Sequence, residues 1–364
     1  MITYKFRLYP NDQQKDTISN WLSVCCKVYN RCLQTRKEAW ENEKENVTNY
    51  DCHKLLTGWK KEFGWSHIYA HCLIDACDRL DRAYKSFFRR CKSGETPGFP
   101  KFKSWRYYDS FTYKNKNAAI KLKTKSIHFP KIGEIKAKLH RQIQGNIKTT
   151  TVKRDKVGKY WVTIVTDFIS PAAPTPPYAV GIDLGIVNFA TLSDGTVIKN
   201  PRTLNQHLTR LRKCHAKLEK TKKGSREREK VKRSLNRIYG KITNVRNDFL
   251  QKLTSKLSES YSLIAIEDLN IKKMVEESNK TGLNRAISDV SWGKFILLLE
   301  QKCLKTGCTL IKVDPAYTSQ TCSQCGYCNA DNRITQSDFE CLSCDFEENA
   351  DYNASINILN KALN

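Results

Sequence analysis

Long apolar runs are missing from this 364-residue sequence. No stretch approaches the roughly 18 to 20 consecutive apolar residues needed to cross a bilayer, and the first residues lack the charged-then-apolar layout of a secretion signal. A soluble, cytoplasmic protein with no membrane partner is expected. Acidic residues are scarce as well: 37 Asp and Glu stand against 63 Lys and Arg, a formal charge of +26. Self-repulsion of that size destabilises a compact state unless a polyanion neutralises it, so nucleic acid is the expected partner. Without a secretion signal, the fifteen cysteines do not describe a disulfide scaffold. Reduced thiols and a metal site fit better. Cys25, Cys32, Cys72 and Cys77 fall at apolar positions of helical pattern, where cysteine acts as a small buried hydrophobe.

What is present suggests two or three domains. Residues 2–8 alternate Ile2, Tyr4, Phe6 and Leu8 with Thr3, Lys5 and Arg7, the period of a half-buried strand, and Pro10 closes it. A helix follows, capped by Asn11 or Asp12, with Ile18, Leu22, Cys25, Tyr29 and Leu33 on one face. A second is expected over about 66–92. "SGETPGFPKFKSWRYY" then breaks helicity and interleaves Lys101, Lys103 and Arg106 with aromatic rings, a mixture that suits phosphates and unstacked bases. Each ring taken singly fits a core role equally well. Residues 118–167 alternate like antiparallel strands, which the first strand could rejoin, and the proline-rich 170–179 marks a boundary.

Beyond it, apolar strands and helices alternate in an order that suits an RNase H-like sheet. Residues 199–256 carry nineteen Lys and Arg against four acids. Two helices hinged near Gly224–Ser225 would pack their apolar stripes together and present basic faces to a phosphate backbone.

Three acids end or begin apolar segments: Asp183 in "GIDLG", Glu267 in "LIAIEDL" and Asp351 in "NADYNASINIL". Converging carboxylates repel, and a shared cation relieves that repulsion. Magnesium prefers oxygen ligands and is typically held by a few carboxylates plus phosphate oxygens. Two such ions would serve an in-line phosphodiester cleavage. Taken singly, each acid also has a local reading: Asp183 capping a turn, Glu267 paired with a lysine, Asp351 capping the last helix. Asp268 should face away from Glu267 and is given no metal role.

Cys322, Cys325, Cys341 and Cys344 form C-x2-C-x15-C-x2-C, the spacing of two turns presenting four thiolates to a structural zinc. Cys328 makes a further C-x2-C pair with Cys325, as in an iron–sulfur run, or is a spare.

The ordered set "GIDLG", "IAIEDL", "AYTSQTCSQCG", "CLSC" and "NADYNASINI", with "YKFRLYP" and "GFPKFK" earlier, resembles the TnpB family. These are transposon-encoded, RNA-guided nucleases related to the type V CRISPR effectors. The resemblance implies a multidomain α+β protein. Residues 1–10 and 103–170 would form a wedge β-barrel, 11–102 an inserted helical recognition lobe and 171–177 a linker. Residues 178–364 would form an RNase H-like RuvC nuclease domain, with a zinc ribbon inserted at 318–347. It implies that Asp183, Glu267 and Asp351 are catalytic and bind two magnesium ions, while the four cysteines bind one zinc. The implied partners are a guide RNA from the transposon end and double-stranded target DNA beside a short motif, with His67, Tyr69 and His71 lying where relatives read it. A prokaryotic, nucleoid-associated monomer on its RNA is expected, with a dimer left open. Two other readings remain: a catalytically silent RNA-guided repressor, and a guide-independent junction resolvase or transposase.

Overall fold

The computed structural model describes residues 1–114, 120–168, 176–277 and 281–364. It divides into two compact units, Met1–Ile169 and Ser170–Asn364. Of the expected linker, residues 171–175 lie outside the described residues.

In the first unit β1 (Ile2–Tyr9) leads into α1 (Asp12–Glu43), α2 (Asn49–Glu62) and α3 (Ala70–Lys92). Six further strands follow: β2 (Ser110–Lys114), β3 (Lys121–Leu122), β4 (Ser126–Phe129), β5 (Gly133–Lys138), β6 (Ile147–Arg154) and β7 (Tyr160–Thr166). Helix α1 begins at a capping box, with Asn11 and Gln14 satisfying each other's backbone N–H. Its apolar stripe, from Ile18 to Leu33, is buried as its spacing requires. Helix α2 was not expected. It buries only Cys52, Leu56 and Trp59, a stripe too sparse to stand out among its lysines.

The seven strands run in the order β2-β6-β7-β1-β5-β4-β3, so β1 does rejoin the later strands and lies near the centre. The wedge barrel implied by the resemblance is not closed: among the described residues β2 and β3 are free edges of an open sheet. The reason lies in α3. The outward carbonyls of β2 are taken by side chains instead of a strand, Arg79 donating to Ser110 O at 2.9 Å and His71 to Lys114 O at 3.1 Å. Asp75, 4% exposed, holds the Arg79 guanidinium at 2.7 Å.

The second unit holds β8 (Ala179–Leu184), β9 (Asn188–Leu192), β10 (Val197–Lys199), α4 (Leu208–Lys220) and α5 (Arg226–Ser260). Then come β11 (Leu263–Glu267), α6 (Ile271–Glu277), α7 (Thr281–Val290), α8 (Trp292–Thr306) and β12 (Thr309–Val313). A small hairpin, β13 (Asp338–Glu340) and β14 (Glu347–Asn349), precedes α9 (Ala350–Leu363). The sheet order is β10-β9-β8-β11-β12. Strand β9 runs antiparallel to both β8 and β10, while β11 runs parallel to both β8 and β12.

Strand alternation assigns the two faces. Val180, Ile182, Ile264 and Ile266 pack with Leu250 and Leu253 of α5 and Phe295 and Leu299 of α8. The intervening positions, Ala265 and, on β12, Val313, pack with Ile358 of α9. Helices α4 and α5 form the expected hairpin around Leu211, Leu235 and Ile242, turning at Gly224 with φ +85°. A left-handed residue there favours glycine.

Candidate nuclease site and cysteine ribbon

The face assignment explains why a buried strand ends in a charge. Gly181 lies on the α9 face, and a Cβ there would meet the Ser355 carbonyl oxygen and, at 2.7 Å, the Leu359 nitrogen. Asp183, two residues on, points to the same side, about one helical turn nearer the start of α9. That is where Asp351 sits, in the first turn. Glu267 joins them through register: Ala265 pairs with Gly181 and Ile266 with Ile182, so the next step sets Glu267 beside Asp183.

The electrostatics agree with this placement. Burial pushes Asp183 up to about 7, and the negative charges of Glu267 and Asp351 push the same way, against the opposing pull of Arg333. Burial also raises Glu267, opposed by the Thr318 hydroxyl and the charges of Lys361 and Arg333, and it raises Asp351 against Arg333. Asn349 caps α9 by accepting from the N–H groups of Asp351 and Tyr352 at 3.1 and 3.2 Å. The local reading of Asp351 is thereby overturned: Asn349, not Asp351, caps the helix. The Thr318 hydroxyl donates to Glu267 at 2.5 Å.

Three oxygen-donor groups lie in one field, each raised in proton affinity chiefly by burial, and when ionised they need a positive counterpart. Arg333, 3.6 Å from Asp351, supplies part of it. The donor set fits a hard divalent cation. Asp268 is exposed, and its N–H pairs with Val313 O.

The sulfur atoms of Cys322, Cys325, Cys341 and Cys344 all lie within 4.8 Å of one another. Each knuckle closes with a backbone bond, Gly326 N–H to Cys322 O and Asp345 N–H to Cys341 O, both 3.0 Å. Both closing residues are left-handed, φ +78° and +51°, so Asp345 does the work expected of a glycine. The Ser343 N–H donates to the Cys341 sulfur at 3.5 Å, which favours the thiolate a zinc ion needs. Cys328 is exposed and outside the cluster; its backbone bridges to Thr321. The iron–sulfur alternative therefore loses its third ligand.

Two residues of this region escaped the sequence. Arg333 and Thr318 lie in irregular segments, where no periodicity marks a side chain's direction. A signal did exist for Asn353 and Asn357, four apart on the apolar face of α9. Both are buried and donate to the Thr318 and Thr321 carbonyls.

In the first unit Phe102, Trp105 and Tyr107 are exposed while Tyr108 is buried. His67 is engaged by Gly64 O and Asn20, and His71 by Lys114 O.

Comparison with known proteins gives matches along most of the chain, one of them crossing the boundary between the two units. A family profile described as "Probable transposase" matches residues 152–278, and one described as "Cas12f1-like, TNB domain" matches 292–358. A "Helix-turn-helix domain" profile matches 1–45, where the structure has one strand and the single long helix α1. The chain is 32% identical over 373 residues to the "Putative RNA-guided DNA endonuclease InsQ" of Escherichia coli K12, covering 98% of this chain and 91% of that protein. It is 30% identical over 367 residues to a "Putative RNA-guided DNA endonuclease" of Streptomyces pristinaespiralis, covering 99% and 89%. A solved Cas12f1–sgRNA–target DNA complex contains a chain of similar fold, with TM-score 0.61, 15% identity, and 97% of this chain and 84% of that chain covered.

Proposed function

The chain belongs to the TnpB family, and from that premise we propose that it is an RNA-guided DNA endonuclease whose cutting centre is formed by Asp183, Glu267 and Asp351. The convergence of these three carboxylates on one side of the five-stranded sheet carries the reading. The strand order, three antiparallel strands extended by two parallel ones, supports an RNase H-like RuvC domain.

The three acids would hold two magnesium ions. Bound there, magnesium would supply an activated water and stabilise the leaving 3′ oxygen of the cut strand. The protein's own part is to bring the ligands together before substrate arrives. The parallel register aligns Asp183 with Glu267, and α9, drawn close over Gly181, delivers Asp351. Arg333 offsets part of the negative charge. One zinc held by the four cysteines is structural, since four protein ligands leave no position for water.

Guide RNA and double-stranded DNA are the partners. The basic hairpin α4–α5 would hold a phosphate backbone, and the exposed rings near 99–107 would stack on unpaired bases. Base pairing with the guide then selects the target, beside a short motif read by protein. The guide would come from the end of the encoding transposon.

A cleavage assay with purified protein, its copurifying RNA, matched duplex and magnesium tests the reading. Cutting of matched duplex alone is expected. Bound but uncut DNA would favour a repressor, and cutting of branched DNA without RNA a resolvase.

A further inference from the structure

Thr318 lies in the loop that leads from β12 to the first cysteine knuckle, and its role depends on the cutting centre proposed above. Its hydroxyl has one proton and two acceptors in reach: Glu267 Oε1 at 2.5 Å and Pro315 O at 2.9 Å. The carboxylate wins, because a hydrogen bond to an ionised acceptor is shorter and roughly twice as strong. Thr318 is 2% exposed, so water does not compete.

The loop is built to keep it there. Tyr317, just before, is left-handed with φ +63° although it is no glycine, a strained conformation that persists only where the surroundings over-determine it. Its carbonyl accepts from Gln320 and Thr321 N–H, both at 3.1 Å. Asn357 of α9, 6% exposed, donates to Thr318 O at 3.0 Å and to Thr321 O at 2.6 Å. Asn353 donates to Thr321 O at 2.8 Å and accepts from Ser323 N–H at 2.9 Å. The hydroxyl on Glu267 is thus anchored to the helix that carries Asp351.

We infer that Thr318 is a positioning residue: its hydroxyl fixes the Glu267 carboxylate through Oε1 and leaves Oε2 to a divalent cation, in step with Asp351. Outer partners of metal ligands typically control about 10- to 100-fold in metal affinity or activity.

The test compares Thr318→Val, which keeps the shape and removes the hydroxyl, with Thr318→Ser, in the full protein–RNA complex. Magnesium dependence of cleavage, magnesium-induced rise in melting temperature and target binding in calcium are measured for each. In the valine variant the magnesium needed for half-maximal cutting should rise about 10- to 100-fold, the melting shift should shrink, and target binding should stay unchanged. Serine should restore both metal readouts. Wild-type magnesium dependence in the valine variant would overturn the inference, as would a serine variant as impaired as valine, which would assign the effect to the methyl group. If the valine variant does not fold, Asn357→Ser releases the Thr318 and Thr321 carbonyls without touching the hydroxyl; the same direction of shift is expected, and none refutes the anchor. A wild-type complex that binds target but never cuts defeats the nuclease reading. The melting shift still judges Thr318 in that case.

Discussion

Asp183 is where local sequence and distant chain meet. Its strand supplies the face, Gly181 the close helix, and two acids from elsewhere the field that raises its proton affinity. Alanine at Asp183, Glu267 or Asp351 should abolish cutting while sparing guided binding, measured by cleavage and by mobility shift of the same complex. The raised proton affinity also sets a pH dependence. Asp183 holds its proton to about 7 in the fold but only to about 3.8 unfolded. Between those values the folded metal-free protein binds more protons than the unfolded one, so its stability should fall as pH rises through that window. Thermal melts in chelator from pH 4 to 8 should show this, and Asp183→Asn should flatten the trend. Gly181→Ala should cost about 1–3 kcal/mol through overpacking. Because the new methyl meets helix backbone, it should also reduce cleavage more than stability alone predicts. The acids were legible because each closes or opens an apolar segment. Thr318 was not, since its direction comes from a loop held by residues more than thirty positions away, and Arg333 was not, since it lies in an irregular segment with no periodicity to mark its side chain.

At the scale of elements, amphipathic pattern located what packs on a single face and lost what does not. Helices α1, α3, α4 and α5 follow their apolar stripes, and β1 rejoins the later strands as its alternation allowed. Helix α2 has too few buried positions to announce itself. The open edge of β2 depends on Arg79 and His71 meeting carbonyls some thirty or forty residues away, a pairing that no local pattern encodes. Arg79→Ala should therefore remove the nearer of two guanidinium groups from Asp75, leaving Arg82 at 3.5 Å, and cost about 3 kcal/mol, the low end for breaking a buried pair, read as a lowered urea midpoint of the first unit. The cysteine knuckles were legible from spacing alone. Cys322→Ser should release the metal, seen as zinc content by mass spectrometry, and should loosen β13 and β14, whose few apolar contacts gather around Cys322, Phe339 and Cys341.

For the whole molecule, charge is the dominant fact. A protein at +26 should purify with nucleic acid, and sequencing that material should return one discrete RNA species. Affinity for it should fall steeply with salt. Replacing Lys213, Lys230 and Arg233 with glutamine should lower the slope of log affinity against log salt by about 0.7 to 0.9 for each residue that touches a phosphate, without altering sequence preference. The fold also orders events in time. Helices α4 and α5 can zip together from near neighbours, whereas β11 must find β8 across roughly eighty intervening residues and wait for α9 to lie down over both. Non-local pairing of that kind is slow. On the proposed function, a newly made chain would gain its grip on polyanions well before its blades meet, and the hazard of indiscriminate cutting would arise only once the last helix has docked.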